Sequence, residues 1–525
     1  MSQVKRFLGL VVPLTAVLGW GLWGADTLKI AFPASDLNTL DPHYAAATND
    51  RAIVDMIFNG LVRYSPGDIT EFEPDLAESW ETSEDGRVWT FHLRPGVWVH
   101  PYPGNPEGYE LTSEDVVFSL AKAADPTSSA YAGEYTGMAF EAVDRYTVRI
   151  VLDRPLSPVL FLPKVADYAG GFIVPKAAYE ALGDGFRTHP VGTGPFVFKE
   201  YLPTQKVVLV RNDRYFRGPP KLAGVEVWYV PDVNACLNGL ITGELHVIEG
   251  VREQAWVKQV KGLPGLVVDV FGPGETEVLH FNMSKAPLDD LRVRQAIAYA
   301  ISRDELIAFI GPDIAERQCA VVPPYLAGGL SCEEVAQAGL LYEVNLERAR
   351  QLLAEAGCPE GFSLDCYITE RASYRKPFEN VQAQLARVGI KLNITVVDHS
   401  SYHSLIRQDA NPIVHYECWR PNADVFLTRF YHSDSIVVTG AKPDTNFSHT
   451  TFIDDLIEAA RYTLDPELQA CIWKTAQLRL LQEMSSYPLY ISKFVYARSE
   501  KVDYGYELKS SLALYPQVNE LTELR

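Results

Sequence analysis

Apolar positions recur along this chain with two different periods. Thr27–Phe32 (TLKIAF) predicts a short buried strand, and an Asp-Pro turn at Asp41–Pro42 leads into a helical stretch over Arg51–Leu61. From Trp80 to Leu93 (WETSEDGRVWTFHL) the period shortens to two. Alternating runs flank Glu84–Asp85–Gly86, where Gly86 supplies the positive φ of a tight turn, and together they predict a β-hairpin. A second hairpin is predicted over Phe140–Leu152, turning at Asp144–Arg145. Between the two, Ser113–Ala123 predicts a helix with Ser113 as N-cap and acidic residues in its first turn.

Strand character returns over residues 190–230, where Val207–Val210 and Val225–Val230 lie on either side of the Pro219–Pro220 break. The chain then becomes helix-rich. Leu291–Ile301, Leu346–Ala356 and Glu379–Val388 carry apolar residues at helical spacing, the last two closed by Gly357 and Gly389. Strands over Leu392–Val397 and Ile413–Cys418 alternate with them. The pattern is a mixed α/β plan with no internal repeat, low-complexity tract or long linker.

Length and charge narrow the picture. The 525 residues exceed one hydrophobic core and imply two to four domains. With 67 acidic against 47 basic residues, the chain offers no basic face for a nucleic-acid backbone, so no nucleic-acid partner is expected. The first 25 residues differ from the rest. Lys5 and Arg6 precede an apolar run from Phe7 to Leu18, and Gly24–Ala25 stand before Asp26, which predicts a signal peptide over residues 1–25 and a periplasmic protein. An uncleaved anchor helix is the alternative, because Trp20, Leu22 and Trp23 extend the apolar stretch. No Cys lies near the segment, so a lipid attachment point is absent.

The seven cysteines all fall after residue 235, without a Cys-x-x-Cys pair. Cys319 with Cys332, or Cys358 with Cys366, could close a loop, while Cys236, Cys418 and Cys471 read equally well as buried small hydrophobes. Familiar reactive motifs are missing: there is no P-loop, nucleophile elbow, His-Glu-x-x-His or dinucleotide glycine fingerprint. His399 and His403 share a helical spacing, but no acidic third ligand is placed beside them, so no metal and no cofactor is expected. The chain reads as a binding protein, with an exported hydrolase as the distant alternative.

Several segments carry a resemblance when taken in order. They are Thr39–Leu40–Asp41–Pro42, Asn59–Gly60–Leu61–Val62, Asp75–Leu76–Ala77–Glu78–Ser79–Trp80 and Leu111–Thr112–Ser113–Glu114–Asp115–Val116. Pro190–Val191–Gly192–Thr193–Gly194–Pro195–Phe196, Arg211–Asn212–Asp213–Arg214–Tyr215–Phe216, Arg292–Val293–Arg294–Gln295–Ala296–Ile297 and Ala349–Arg350–Gln351–Leu352–Leu353 follow. The series resembles the family 5 extracytoplasmic solute-binding proteins, the dipeptide, oligopeptide and nickel-binding group of ABC importers. The resemblance implies a two-lobed periplasmic-binding-protein fold with crossing hinge strands and a third, smaller domain inserted early. On that plan lobe I comprises residues 26–66, 186–279 and 491–525, the inserted domain residues 67–185, and lobe II residues 280–490.

It also implies a monomer that captures a short peptide by hinge closure and delivers it to the ABC transporter permease subunits. A non-peptide ligand such as an opine, an oligosaccharide or a metal chelate is the alternative. Cys418–Trp419–Arg420–Pro421–Asn422–Ala423–Asp424 occupies the place of the family's Trp-to-Asp loop, which makes Asp424 the candidate partner of a ligand ammonium and Trp419 an aromatic wall. The usual Asp-Pro-Asp stands here as Asn422–Ala423–Asp424 in a shorter loop, and the neighbouring Arg420 could face an acidic ligand. Arg371 and Arg375 stand before the helix at 379–388, where dipeptide binders place an arginine for the ligand carboxylate. His43 and Tyr44 follow the Asp-Pro turn near the expected cleft.

Overall fold

Ala77–Thr82 and Val88–Leu93 pair antiparallel, with Gly86 at φ 67° in the turn between them. Met138–Asp144 and Thr147–Leu152 form the second hairpin, and Val88–Leu93 zips onto Thr147–Leu152. Two local hairpins thus merge into one four-stranded antiparallel sheet, the body of the small inserted domain. Trp89 and Phe161 stack beneath it at 4.3 Å between ring centroids, both out of solvent. The helix Ser113–Ala124 lies against this sheet, but its cap is Thr112 rather than Ser113. The Asp115 carboxylate accepts the Thr112 backbone N–H at 3.0 Å, while the Ser113 hydroxyl is engaged by the Asp144 carbonyl.

The computed structural model describes residues 26–511 and 514–525, so the predicted signal peptide lies outside the described residues. Nine strands make the main sheet. Strand β1 (Thr27–Phe32) sits between Gly224–Tyr229 and Val247–Glu249, parallel to both, as a run of apolar residues buried on both faces requires. Two long strands carry the sheet onward: β2 (Leu266–Phe281, 16 residues) and β4 (Ser486–Ser499, 14 residues) run antiparallel from Leu266 opposite Ser499 to His280 opposite Ser486. The Ser499 end pairs with Val247–Glu249, while the other end pairs with β3 (Ile413–Cys418) and Ala315–Arg317. These are the crossing strands that join the two lobes.

Two helices depart from the expected limits. The first, α1, covers Thr48–Ile57 and stops before Leu61, because Phe58 is extended and Gly60 presses so close to residue 166 that a Cβ would stand 2.5 Å from its carbonyl carbon. The second, α2, starts early. It spans Ala372–Ala386 and runs through Pro377, which sequence rules treat as a stop. Burial of Tyr374, Pro377, Phe378 and Val381 on one face outweighs the missing backbone hydrogen bond. Of the two loops that cysteines could close, Cys319–Cys332 is bonded, while Cys358 and Cys366 remain thiols.

Candidate ligand-binding cleft

At the end of β3 the chain turns through Trp419–Asn422 into the helix α3 (Ala423–Tyr431). Asn422 is its N-cap, the side-chain oxygen accepting the Val425 N–H at 3.0 Å. The turn is stiffened by Arg420, whose Nη1 donates to the Trp419 carbonyl at 2.7 Å and whose guanidinium lies 5.2 Å from the Phe430 ring centroid. Trp419 faces Tyr168 of the small domain edge to face, 6.4 Å between centroids. Around this contact opens a cavity of about 770 Å³. Its walls are the 419–429 segment on one side and residues 131–170 with Arg51 of α1 on the other.

Trp419, Arg420, Asn422 and Asp424 therefore line one space together. Trp419 Nε1 and Arg420 Nε are buried donors without hydrogen-bond partners among the described residues. Asp424 already has a partner within the protein. Its carboxylate lies 3.3 Å from Arg461 Nε, and Arg461 Nη2 also donates to Thr428 Oγ1 at 2.6 Å. Burial raises the Asp424 pKa and Arg461 pulls it back. The group expected to meet a ligand ammonium is already neutralised by a cation of the protein.

His43 and Tyr44 lie elsewhere, lining neither this cavity nor the one described below. His43 is fully buried, with Nε2 3.0 Å from the Phe172 carbonyl and Nδ1 3.3 Å from Lys122 Nζ. Burial followed by the Lys122 charge pushes its pKa down to about 3. Tyr44 donates to the Thr127 carbonyl at 2.8 Å, and Arg187 covers its ring at 4.6 Å. Both side chains clamp the Asp41 turn to the helix Ser113–Ala124. An Asp-Pro turn near the cleft in sequence is consumed as structure.

On the other side of the β3 terminus lies a second cavity of about 870 Å³. Arg371, at the N-cap of α2, faces into it, is exposed, and makes no ion pair among the described residues. Arg375 lies within α2 rather than before it, pairs with Glu379 at 3.1 Å on the outer face, and lines neither cavity. The two rival arginines are thus separated by position. The floor of this cavity holds Glu275, Glu277 and Glu417 with Arg252, none of which the sequence singled out. The signal is in the sequence: Glu275 and Glu277 lead into the apolar residues of 275–281, and Glu417 interrupts the strand run 413–418.

His399 and His403 do lie on one helix with their Nε2 atoms 3.2 Å apart. His415 faces Glu277, and His449 lies 3.0 Å from Asp409. Among the described residues no group of three or more His, Cys, Asp or Glu side chains is arranged to hold a metal.

Comparisons with known proteins agree with this architecture. The model of the bacterial extracellular solute-binding proteins, family 5 (middle), matches residues 71–436. The dipeptide-binding protein of Escherichia coli K12 is 30% identical over 459 residues, covering 80% of this chain and 81% of that protein. The glutathione-binding protein GsiB of Shigella dysenteriae is 29% identical over 518 residues, covering 96% of each. Among solved structures, MoaA of A. tumefaciens R10 in complex with mannopinic acid is 38% identical with a TM-score of 0.75, covering 95% of this chain and 99% of that one. HbpA2 of Haemophilus parasuis superposes with a TM-score of 0.82 at 26% identity, covering 95% and 100%. The two lobes, the crossing strands and the family match over most of the chain make this protein a member of the family 5 extracellular solute-binding proteins, the substrate-capturing components of ABC importers.

Proposed function

We propose that this protein captures a small carboxylate-bearing amino-acid derivative, a short peptide in the first instance, and delivers it unchanged to a membrane permease. The observation that carries the reading is the cavity between the Trp419 loop and the small domain. At about 770 Å³ it has the size of a small-molecule site, with Trp419 as an aromatic wall and the Arg420 guanidinium in its lining. Dipeptide-binding and glutathione-binding relatives support peptide chemistry. The protein acts outside the cytoplasm as a monomer, without catalysis and without nucleic acid. No helix among the described residues is long and apolar enough to cross a membrane. Lobe I is assigned to residues 26–66, 186–279 and 491–525, lobe II to 280–490, and the inserted domain to 67–185.

An opine is the second reading. It is favoured by the Asp424–Arg461 pair, which removes the free carboxylate a peptide ammonium would meet in this cavity, and by the 38% identity to the mannopinic acid complex. A thermal-shift panel of di- and tripeptides, glutathione, mannopinic acid and a neutral oligosaccharide tests both. A ligand at one hundred times its dissociation constant stabilises by about 2.7 kcal/mol, well above detection. A shift from a peptide supports the first reading and a shift from mannopinic acid alone the second. A shift from the oligosaccharide alone overturns both.

A further inference from the structure

The antiparallel register of β2 and β3 sets Glu277 directly opposite Glu417. Two-residue alternation puts Glu275 on the same face as Glu277. Like charges in opposed positions destabilise a sheet, and here they do so out of water. Glu277 is 1% exposed, and the Glu417 and Glu275 side chains 10% and 26%. One cation serves the three: Arg252 contacts Glu275 and lies 3.7 Å from Glu417. Glu277 Oε2 lies 2.8 Å from His415 Nε2, and neither atom has a hydrogen-bond partner among the described residues. The buried Glu277 side chain, with this oxygen outside any hydrogen bond among the described residues, lines the 870 Å³ cavity.

The remaining cations around the cavity do not reach this floor. Lys376 is paired with Glu253 at 3.0 Å, and Arg371 stands exposed beside the N-terminus of α2. Burial, followed by the neighbouring glutamates, lifts the pKa of Glu277 and of Glu417 well above the usual carboxylate range. A cavity floor that gathers three carboxyl groups around one guanidinium has room for a second cation.

We propose that Glu275, Glu277 and Glu417 form a subsite for a cationic group of the ligand, an ammonium or a guanidinium. Arg371, which the family resemblance offers for a ligand carboxylate, lines the same cavity. The proposal rests on the reading of the protein as a binder of small amino-acid derivatives, and it places amine recognition at the β2–β3 floor of the second cavity rather than at Asp424 in the first. Several N–H donors on one cationic centre suit a floor of carboxylate acceptors.

The test is calorimetric titration of the full-length protein with agmatine, a cation that has no carboxylate, on wild type, Glu277→Gln and Glu417→Gln. The expected result is binding by wild type and at least tenfold weaker binding by each variant. Equal affinity in all three, no binding at all, or displacement of agmatine by millimolar calcium overturns the proposal. If one variant does not fold, the other carries the comparison. Running the peptide and mannopinic acid panel on the same proteins separates the two claims. A panel ligand whose affinity ignores both variants leaves the cleft reading standing and removes the subsite. Glutamate-dependent agmatine binding with a silent panel keeps the subsite and removes the ligand class.

Discussion

Replacing Lys122 by Met removes the ammonium from a sealed network. Lys122 Nζ lies 3.0 Å from each Asp41 oxygen, 3.1 Å from the Ser128 carbonyl and 3.3 Å from His43 Nδ1. The Lys122 and Asp41 side chains are 4% and 2% exposed. At an effective dielectric of about 20 and a separation of about 3 Å the gross attraction is about 5 kcal/mol. Loss of one partner leaves a buried, uncompensated carboxylate, which costs about 3–5 kcal/mol. Asp41→Asn should cost a similar amount by stranding the ammonium. The double variant Asp41→Asn/Lys122→Met should recover at least about 2 kcal/mol of the summed loss, because neither charge is then left alone. Urea unfolding of the ligand-free protein, compared at constant m-value, measures the cycle. A loss below about 1 kcal/mol for Lys122→Met, or strict additivity in the double variant, would refute the argument that this network is structural.

Trp419→Ala should weaken ligand binding by at least tenfold in a calorimetric titration while leaving the urea midpoint of the ligand-free protein within error, since the ring faces the cavity and Tyr168. Glu277→Gln should gain stability over wild type as pH rises from about 5 to about 9. The folded-state pKa of Glu277 is raised, so its contribution is fully present below the unfolded value of about 4.3 and is lost as pH rises through the folded value, whereas glutamine does not titrate. Paired urea midpoints at the two ends of that range check it. Replacing both Cys319 and Cys332 by Ser opens a loop with a sequence separation of 13 and should cost about 3 kcal/mol by the chain-entropy relation, read as a lower urea midpoint.

What the sequence disclosed follows from how local each feature is. The hairpin around Gly86 and the strand Ile413–Cys418 were legible because alternation and turn chemistry act within a few residues. The helix α2 is predicted only from Glu379 onward, because the burial that carries it through Pro377 comes from other elements. The Trp419 loop was reached through a family resemblance, and the structure does gather Trp419, Arg420, Asn422 and Asp424 around one cavity. The partner of Asp424 was not legible, since Arg461 stands 37 positions away on another helix. The partners of His43 and Tyr44 are hidden for the same reason: nothing near them in sequence announces Lys122 or Thr127. Arg371 and Arg375 could be told apart only once α2 fixed which of them faces a cavity. The opposed glutamates depend on the register of two strands far apart in the chain.

The most direct test of the central claim, that a small solute is captured between two lobes joined by β2 and β4, is small-angle X-ray scattering on the full-length protein with and without a ligand found in the panel. Hinge closure predicts a smaller radius of gyration at saturation, reached at one ligand per chain. An unchanged scattering curve at saturating ligand would contradict capture by closure.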